Sequence, residues 1–405
     1  MAQARAAIHA AIGPVQERET VALAQALGRV LAADVVSPID VPAHDNSAMD
    51  GFAFDGALLG AGAALALPVL ATVFAGRPLA GVVAAGSCVR IMTGAVMPGG
   101  TDTVVPHELC RVESGLVHLS VGVVQPRENL RRRGEDLQQG RAALQRGRRL
   151  RPADLGLVAS LGIATVPVYR RLRVALFSTG DELRAPGQDL PAGCVYDSNR
   201  TSLLAALQSL GMEVIDLGLV RDDPAALEAT LRAAILQADV VLTSGGVSMG
   251  DADHTRDVLA RLGQVSFWKV AMRPGRPFAF GPVRSGERQA WMFALPGNPV
   301  AALVTFYALA REALLVLSGA QGEALVTLQA RAATPIRKRP GRTEFQRAIV
   351  SRGDDGQWQV QSTGAQGAGI LRSLSEANAL LVLTHDQGSV AAGEMVEVWL
   401  FDGLV

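Results

Sequence analysis

The chain has 405 residues, more than one hydrophobic core normally serves, so two to four domains are expected. Apolar residues make up 49% and charged residues 19%, a composition typical of a folded globular protein and not of a disordered one. Basic and acidic residues both number 38, so no overall field attracts nucleic acid or an anionic membrane. The composition therefore predicts a globular protein without a nucleic-acid or membrane partner.

Three features bear on the compartment. The cysteines Cys88, Cys110 and Cys194 are scattered without a CxxC pair, which indicates free thiols in a reducing environment. Residues 56–76 carry no charge, but they are rich in alanine and glycine around Pro68, and this composition disfavours a transmembrane helix. The chain does not open with a basic segment followed by an apolar one. We therefore expect a cytoplasmic location.

In chain order, residues 14–36 repeat apolar side chains at the spacing of an amphipathic helix. Short alternating runs between glycines and prolines from about residue 38 to 140 predict a β-rich insert. Residues 127–151 contain nine arginines and three acids but no aromatic side chain on which bases could stack. This basic segment therefore predicts a solvated connection with some structural ion pairs.

Residues 172–319 alternate apolar strands with amphipathic helices, a pattern typical of a doubly wound α/β domain with a parallel sheet. The final 80 or so residues return to short strands and predict a small β-barrel or sandwich. The predicted fold class is multidomain α/β plus β. The predicted division is a helical and extended part at 1–42 with 140–168, the insert at 43–139, the α/β domain at 169–322 and a β-barrel at 323–405.

Glycine and hydroxyl residues follow the predicted strands of the α/β domain. Open parallel sheets bind ligands at the carboxyl ends of their strands, and glycines there expose backbone N–H groups to an anion. Each turn alone could serve only to cap a helix, but four on one sheet edge predict a site for a phosphorylated ligand. The candidate binding residues are Thr179, Gly180, Ser244, Gly245, Gly246, Ser248, Gly250, Arg276, Pro296 and Asn298.

Carboxylates stand beside these turns at Glu182, Asp222, Asp251 and Asp253. They would repel a phosphate unless a hard cation lay between, and Mg²⁺ combines one or two carboxylates with phosphate oxygens. We therefore predict Mg²⁺ at this site, with Asp222, Asp251 and Asp253 as candidate metal ligands. Asp222 and Asp223 precede Pro224 at a predicted helix start, so a purely capping role stays open for these two acids.

A cationic cluster follows at Lys269, Arg273 and Arg276. Lysine appears only twice in this arginine-rich chain, so Lys269 indicates a need for a compact point charge, although chance retention of one of two lysines stays open as an explanation. The two arginines are suited to an oxyanion.

Seven segments together resemble a known family. They read TSGGVSMGDADHT (243–255), STGDEL (178–183), LPGNPVAALVTF (295–306), HDNSAMDGFAFD (44–55), RIMTGAVMP (90–98), NLRRRGEDL (129–137) and PGRTEFQRA (340–348). The first three resemble the molybdopterin-binding domain shared by molybdopterin adenylyltransferases and molybdopterin molybdenumtransferases. The other four resemble the molybdenumtransferase family, which includes MoeA and the gephyrin E domain.

The resemblance implies a homodimeric enzyme of molybdenum cofactor biosynthesis. Such an enzyme takes adenylated molybdopterin and molybdate, releases AMP in a Mg²⁺-dependent step and leaves molybdenum on the dithiolene, in a cleft between domains of two subunits. Possible protein partners are molybdopterin adenylyltransferase and the proteins that mature molybdoenzymes. The implied catalytic residues are Asp50, Thr93, Asp136, Glu182, Asp222, Asp253 and Lys269, and we add Arg273 from the cationic cluster.

The chain departs from its bacterial relatives at a few positions. These relatives often have lysine where Arg256, Arg273 and Arg276 stand and tyrosine where Phe52 stands, so no role is assigned to Phe52. Two other functions stay open at this point. One is the adenylyltransferase reaction on the same core domain, against which the segments around Thr93 and Asp136 argue. The other is a non-catalytic scaffold that binds the pterin.

Overall fold

The computed structural model of the chain describes residues 1–246, 254–321 and 325–404. The chain forms two compact units. The first comprises Met1–Ala33, Arg146–Arg151 and Thr165–Val405, and the second comprises Asp34–Gln145 and Pro152–Ala164. The predicted four-part division is finer than these two units and stays a prediction.

The second unit is built on a six-stranded sheet, which agrees with the β-rich insert predicted from the alternating runs. Its neighbours pair antiparallel except for the parallel pair Leu65–Val73 with Cys88–Ile91. Side chains buried on the two faces, such as Phe54 and Val89, form two small cores. The strand order is Thr103–Pro106, Gly51–Phe54, Cys88–Ile91, Leu65–Val73, Leu116–Leu119 and Arg111–Glu113.

Short elements complete this unit. They are the helix Pro152–Ser160, the 3₁₀ turns Gly56–Ala61 and His107–Leu109, and the strand pairs Asn46–Ser47 with Leu130–Arg131 and Val35–Val36 with Ala142–Leu144. The basic segment forms ion pairs as predicted, because Arg133 Nε donates to Asp40 at 2.6 Å and Arg127 lies 3.5 Å from Asp102.

The helix predicted for residues 14–36 is wrong. Arg18–Ala22 is a strand that pairs antiparallel with Thr165–Tyr169, a single 3₁₀ turn follows at Leu23–Gln25, and the nearest α-helix is Ala2–Ala11. Leu27, which would have faced the core, is 56% exposed. The strand's partner lies far along the chain, so the apolar spacing within this window could not reveal it.

The first unit centres on a six-stranded mixed sheet, whose strands are numbered here along the chain. They are β1 (Arg173–Thr179), β2 (Glu213–Val220), β3 (Val240–Ser244), β4 (Ser266–Lys269), β5 (Pro277–Ser285) and β6 (Arg288–Leu295). The spatial order is β2-β1-β3-β6-β5-β4. The first four strands in this order run parallel, whereas β5 and β4 are added antiparallel to their neighbours.

Helices cover both faces of this sheet. They are α1 (Ser198–Ser209), α2 (Pro224–Gln237), α3 (His254–Leu262) and α4 (Pro299–Leu317). Alternate β1 residues face opposite ways, because Leu176 packs in the cluster that contains α1 and α4 while Phe177 packs in the cluster that contains α2 and α3. The doubly wound prediction is confirmed, with the antiparallel pair at one end as the difference.

The helix α4 is apolar and long enough to cross a membrane by length and composition, but 83% of its apolar stretch is buried. Its middle, Phe306–Ala310, is a π-helical segment. Arg5 from the helix Ala2–Ala11 donates from Nε to the carbonyl of Ala308 at 2.8 Å. The helix α4 therefore belongs to the core of the α/β domain.

The predicted C-terminal barrel is confirmed. Five strands close into a ring, in which one neighbouring pair is parallel and the others are antiparallel. A short helix, Leu371–Glu376, follows the strand Trp358–Ser362 along the chain. The strand Met272–Arg273 extends the sheet beside Thr343. The ring order is Thr343–Arg352, Trp358–Ser362, Thr327–Ala332, Met395–Leu400 and Ala379–Leu383.

Candidate functional site

A cavity of about 1100 Å³ opens at the carboxyl ends of the parallel strands. The strand order reverses between β1 and β3, and ligands bind at such a switch point in open α/β sheets. The turns after β1, β3 and β6 all line the cavity, as the sequence predicted. The predicted binding and charged residues that line it are Thr179, Gly180, Glu182, Asp222, Ser244, Gly245, Gly246, Arg273, Arg276, Pro296 and Asn298.

The turn after β3 needs its glycines. Gly245 has a φ of +93°, and a β-carbon there would lie 2.5 Å from the carbonyl oxygen of Thr179. Gly246 has a φ of +69°, which also favours glycine. This close approach brings the backbone at the ends of β1 and β3 together, where N–H groups can meet an anion.

Two hydroxyl groups lie at the same edge. Thr179 and Ser244 are both buried. Among the described residues, Thr179 Oγ1 has no hydrogen-bond partner, and Ser244 Oγ makes only a long contact of 3.4 Å as donor, to the carbonyl of Pro296. Buried hydroxyls normally find partners, so both groups are suited to bind a ligand oxygen.

The structure separates the two adjacent acids whose roles the sequence left open. Asp223 is the N-cap of α2, and its carboxylate accepts a hydrogen bond from the backbone N of Ala226 at 2.8 Å. Asp222 is half-buried and lines the cavity. The capping role therefore belongs to Asp223, which leaves the carboxylate of Asp222 free to face a ligand.

Asn298 also stands at a helix start and lines the cavity. It occupies the N-cap position of α4 and Pro299 follows at the first helical position, but the Asn298 side chain makes no capping hydrogen bond. The exposed Asn298 amide lines the cavity. A capping function alone does not account for this side chain.

A second cavity of about 320 Å³ shares Arg273 and Gln366 with the first. Arg273 approaches the buried carboxylate of Glu344 at 3.8 Å, and Arg342 Nε contacts the same oxygen at 3.1 Å. Arg347 also lines this cavity and is fully buried. Burial and the neighbouring Arg273 lower the pKa of the Arg347 guanidinium to about 10. The concentration of arginines makes this cavity attractive to an oxyanion.

Arg347 organises a loop that the sequence did not identify as functional. Its guanidinium donates to the carbonyls of Ala365, Gln366 and Gly367 at 2.9–3.3 Å and to Ser373 Oγ at 3.0 Å. The three glycines among residues 364–369 are typical of a turn. Most of this loop nevertheless lines the first cavity. This loop lies in the C-terminal part of the chain, far in sequence from the strand ends of the α/β domain, so the sequence did not indicate that it lines the cavity.

Lys269 is not among the described residues that line the first cavity. It lies exposed at the end of β4, in another cavity of about 420 Å³ with Phe267 and Trp268. Four strand spacings of about 4.8 Å separate β1 from β4, so Lys269 lies on the order of 20 Å along the same sheet edge from Thr179. The predicted cationic cluster is therefore divided.

In the second unit, two predicted residues meet directly. Asp50 accepts hydrogen bonds from the backbone N and from Oγ1 of Thr93, both at 2.7 Å. These two bonds lower the pKa of the Asp50 carboxyl, with smaller contributions from the charges of His107 and Arg90. Asp136 is exposed, and its backbone N donates to the carbonyl of Val41 at 3.0 Å.

Four predicted residues, Ser248, Gly250, Asp251 and Asp253, lie outside the described residues. Within the described ranges, no group of three or more histidine, cysteine, aspartate or glutamate side chains could hold a metal ion. Glu182 and Asp222 both line the first cavity, however, and Mg²⁺ needs only one or two carboxylates when a phosphate supplies further oxygens. The residues present therefore fit Mg²⁺ bound together with a phosphate.

The fold and the cavity define an α/β protein that can bind an anionic ligand at the switch point of its central sheet. Family models match this architecture. Residues 1–162 match the MoeA N-terminal region (domains I and II), residues 175–316 match the "Probable molybdopterin binding domain" and residues 329–401 match the MoeA C-terminal region (domain IV).

Individual relatives agree with these models. The molybdopterin molybdenumtransferase of Haemophilus influenzae is 44% identical over 391 residues, which cover 96% of this chain and 95% of the relative. The enzyme of the same name from Nostoc sp. is 36% identical and covers 95% of this chain and 88% of the relative. The crystal structure of the MoeA protein from Pyrococcus horikoshii OT3 superposes with a TM-score of 0.85 at 28% identity over 99% of both chains. The chain belongs to the MoeA family.

Proposed function

We propose that this protein is a molybdopterin molybdenumtransferase. It takes adenylated molybdopterin and molybdate, cleaves the bond that joins AMP to molybdopterin, and leaves molybdenum on the dithiolene. The observation that carries this proposal is the large cavity in which the turns after β1, β3 and β6 converge with Glu182, Asp222 and two arginines. The named relatives, which match the chain over almost its full length, support the same activity.

The phosphate of the AMP moiety is held at the switch point. Thr179 Oγ1 and Ser244 Oγ supply hydroxyl donors, and the backbone at Gly180 and Gly246 supplies N–H groups. The N–H of Gly245 donates to the carbonyl of Leu295 at 3.1 Å, so Gly245 contributes to the binding site through the tight turn it allows. Pro296 and Asn298 form the neighbouring wall, and we assign Ser248 and Gly250 to the same turn from the sequence. Donors placed for charge on the leaving phosphate stabilise its departure.

Mg²⁺ would be held by Asp222, with Glu182 beside it, and the sequence adds Asp251 and Asp253 as candidate ligands. When bound, the ion supplies positive charge that neutralises the phosphate oxygens. The protein's own contribution is to line one cavity with Asp222, Glu182 and the phosphate-binding turns. Two carboxylates in one cavity with so many anion donors support this arrangement.

Molybdate fits the smaller, arginine-lined cavity. Arg273 lines both cavities, so an oxyanion in the smaller one lies next to a phosphate in the larger one. The lysines that relatives often carry at Arg273 and Arg276 would supply the same charge, and arginine adds bidentate hydrogen bonds. Arg276 then serves the larger cavity.

A second subunit enters the proposal for the four described site residues that do not line the large cavity. These residues are Asp50, Thr93, Asp136 and Lys269. We propose a cytoplasmic homodimer in which the cleft forms between domains of two subunits, as the family resemblance implies. Protein partners would be molybdopterin adenylyltransferase, which supplies the adenylated substrate, and the proteins that mature molybdoenzymes. The four-part domain division belongs to the same proposal, and the three family models support its main boundaries.

One assay tests the proposed activity against its rivals. The protein is supplied with adenylated molybdopterin, Mg²⁺ and molybdate, and the release of AMP and the metal content of the product are followed. Molybdate-dependent AMP release with molybdenum in the product supports the transferase. Adenylation of free molybdopterin from ATP would identify an adenylyltransferase instead, and binding without turnover would identify a scaffold.

A further inference from the structure

Asn199 joins three elements at the edge of the large cavity. Its side-chain nitrogen Nδ2 donates to Ser244 Oγ at 2.6 Å and to the carbonyl of Gly297 at 2.7 Å. Asn199 lies in the first turn of α1, which begins after the N-cap Asp197. One amide group therefore connects the start of α1 with the ends of β3 and β6, and all three residues line the cavity.

The partners fix the orientation of this amide. The carbonyl oxygen of Gly297 can only accept a hydrogen bond, so the atom that faces it must be the nitrogen. The same nitrogen carries a second hydrogen, which it donates to Ser244 Oγ. An asparagine NH₂ group has two hydrogens, so both are used.

The orientation of Asn199 dictates what Ser244 can do. Because Ser244 Oγ accepts from Asn199, its own hydrogen must point elsewhere. The acceptor available to it among the described residues is the carbonyl of Pro296 at 3.4 Å, a long and weak contact. The hydroxyl hydrogen of Ser244 is thus available to a ligand oxygen in the cavity.

We propose that Asn199 is a positioning residue that makes the Ser244 hydroxyl a donor to the phosphate of the AMP moiety. This inference rests on the proposed function, because it takes AMP to be the group bound at the switch point. Asn199 contacts the phosphate only through Ser244, and at the same time it holds the Gly297 turn in place. The helix start at Asp197 sets the position of its side chain.

Binding of AMP and of adenosine, measured by calorimetry at constant Mg²⁺, tests this role. The variants are Asn199→Ala, Ser244→Ala and the double variant. A hydrogen bond to a charged phosphate contributes enough that each single change should weaken AMP binding about tenfold. Adenosine lacks the phosphate, so its affinity should not change. The double variant should bind AMP no more weakly than the single variants, since both act on one hydrogen bond.

Asn378→Ala is a matched control. Asn378 also bridges two backbone groups, since it donates to the carbonyl of Val350 at 2.9 Å and accepts from its N–H at 2.7 Å, but it lies in the barrel. This change should lower the melting temperature and leave AMP affinity unaltered. If Asn199→Ala does not fold, Ser244→Ala alone keeps the bond from Asn199 to Gly297 and still tests the loss specific to phosphate.

Several results would overturn the inference. Equal losses of AMP and adenosine affinity, additive losses in the double variant, or a lower melting temperature with unchanged AMP affinity would each reduce Asn199 to a structural residue. Wild-type protein that binds no AMP would overturn the proposed function, and this inference with it. Wild-type binding with unaltered variants would overturn the inference alone.

Discussion

Gly245 lies so close to Thr179 that a β-carbon on Gly245 would come within 2.5 Å of the Thr179 carbonyl oxygen. Gly245 begins the turn after β3, and Thr179 is the last residue of β1. Their contact therefore sets the spacing of the two turns at the switch point. Any side chain at Gly245 must push these turns apart.

We expect Gly245→Ala to weaken AMP binding strongly and to lower the free energy of unfolding by about 1–3 kcal/mol, because it adds a left-handed backbone penalty to the clash. Thermal unfolding and AMP titration measure the two effects. Gly156→Ala is the control, since Gly156 sits exposed inside a helix with open space around it. That change should stabilise the protein by about 0.5–1 kcal/mol. An unaltered AMP affinity in Gly245→Ala would contradict the assigned site.

The neighbours Asp222 and Asp223 should respond in opposite ways to substitution. Asp223→Ala removes the N-cap of α2 and should lower the free energy of unfolding by about 1 kcal/mol, with turnover retained. Asp222→Asn should raise the Mg²⁺ concentration needed for half-maximal turnover, with little change in stability. Magnesium titrations and thermal unfolding of both variants check this. Identical magnesium titrations for Asp222→Asn and the wild type would remove Asp222 from the site.

The pair Asp50 and Thr93 predicts a pH effect. The two hydrogen bonds from Thr93 lower the pKa of folded Asp50 below its unfolded value. Their stabilisation is therefore fully present above the unfolded pKa and is lost as pH falls through the folded pKa. Thr93→Val removes one bond, so the pKa of Asp50 should rise and acid unfolding should begin at a higher pH.

Carbon-13 NMR titration of the Asp50 carboxyl measures this shift. Thr101→Val is the control, because Thr101 Oγ1 donates to the carbonyl of Pro98 and not to a carboxylate. An Asp50 titration that moves as much in the control as in Thr93→Val would exclude the hydroxyl as the cause.

Strands and their following turns were predictable from the sequence. In β1, β3 and β6, an apolar run is followed at once by glycine, proline or a hydroxyl residue, and the fold class then places these turns on one edge. Glu182 and Asp222 could be assigned on the same argument. The added antiparallel strands were not predictable in this way, because a buried strand reads as an apolar run in either direction.

Side chains that reach the cavity from elsewhere were missed. Asn199 lies at a helix start that is separated from β1 by a long connection, so it does not directly follow a strand end. The signal available was Asp197, a good N-cap residue, since the helices of such a fold begin near the ligand edge of the sheet. Arg347 and the loop it holds belong to the barrel, to which the strand-end argument does not apply. Asp50 and Thr93 were predicted only from the family resemblance.

Arg347→Met should loosen residues 364–369. The change leaves several carbonyls that now accept from the guanidinium without a donor, so the free energy of unfolding should fall by about 2–4 kcal/mol. AMP affinity should fall as well, because the loop lines the large cavity. Arg372→Met is the control, since its ion pair with Glu376 is exposed and contributes about 0.5 kcal/mol or less. Equal stability losses in both variants would contradict the anchoring role.

Lys269→Ala should severely impair turnover, and Lys269→Arg should not restore it. A guanidinium is planar and more extended than the compact ammonium group, and the chain otherwise uses arginine almost everywhere. Single-turnover AMP release measures the effect, and AMP binding should be nearly unaltered because Lys269 lies outside the large cavity. Wild-type turnover in Lys269→Arg would show that any cation suffices.

The central claim is that the phosphate of AMP and its metal bind at the switch point of the central sheet. A crystal structure with AMP and Mn²⁺ in place of Mg²⁺ tests it most directly, because the anomalous signal of manganese locates the ion. We predict the ion within about 2.2 Å of a carboxylate oxygen in the cavity lined by Asp222 and Glu182, with the phosphate against Thr179 and Ser244. An AMP phosphate and a manganese peak bound elsewhere would contradict the account.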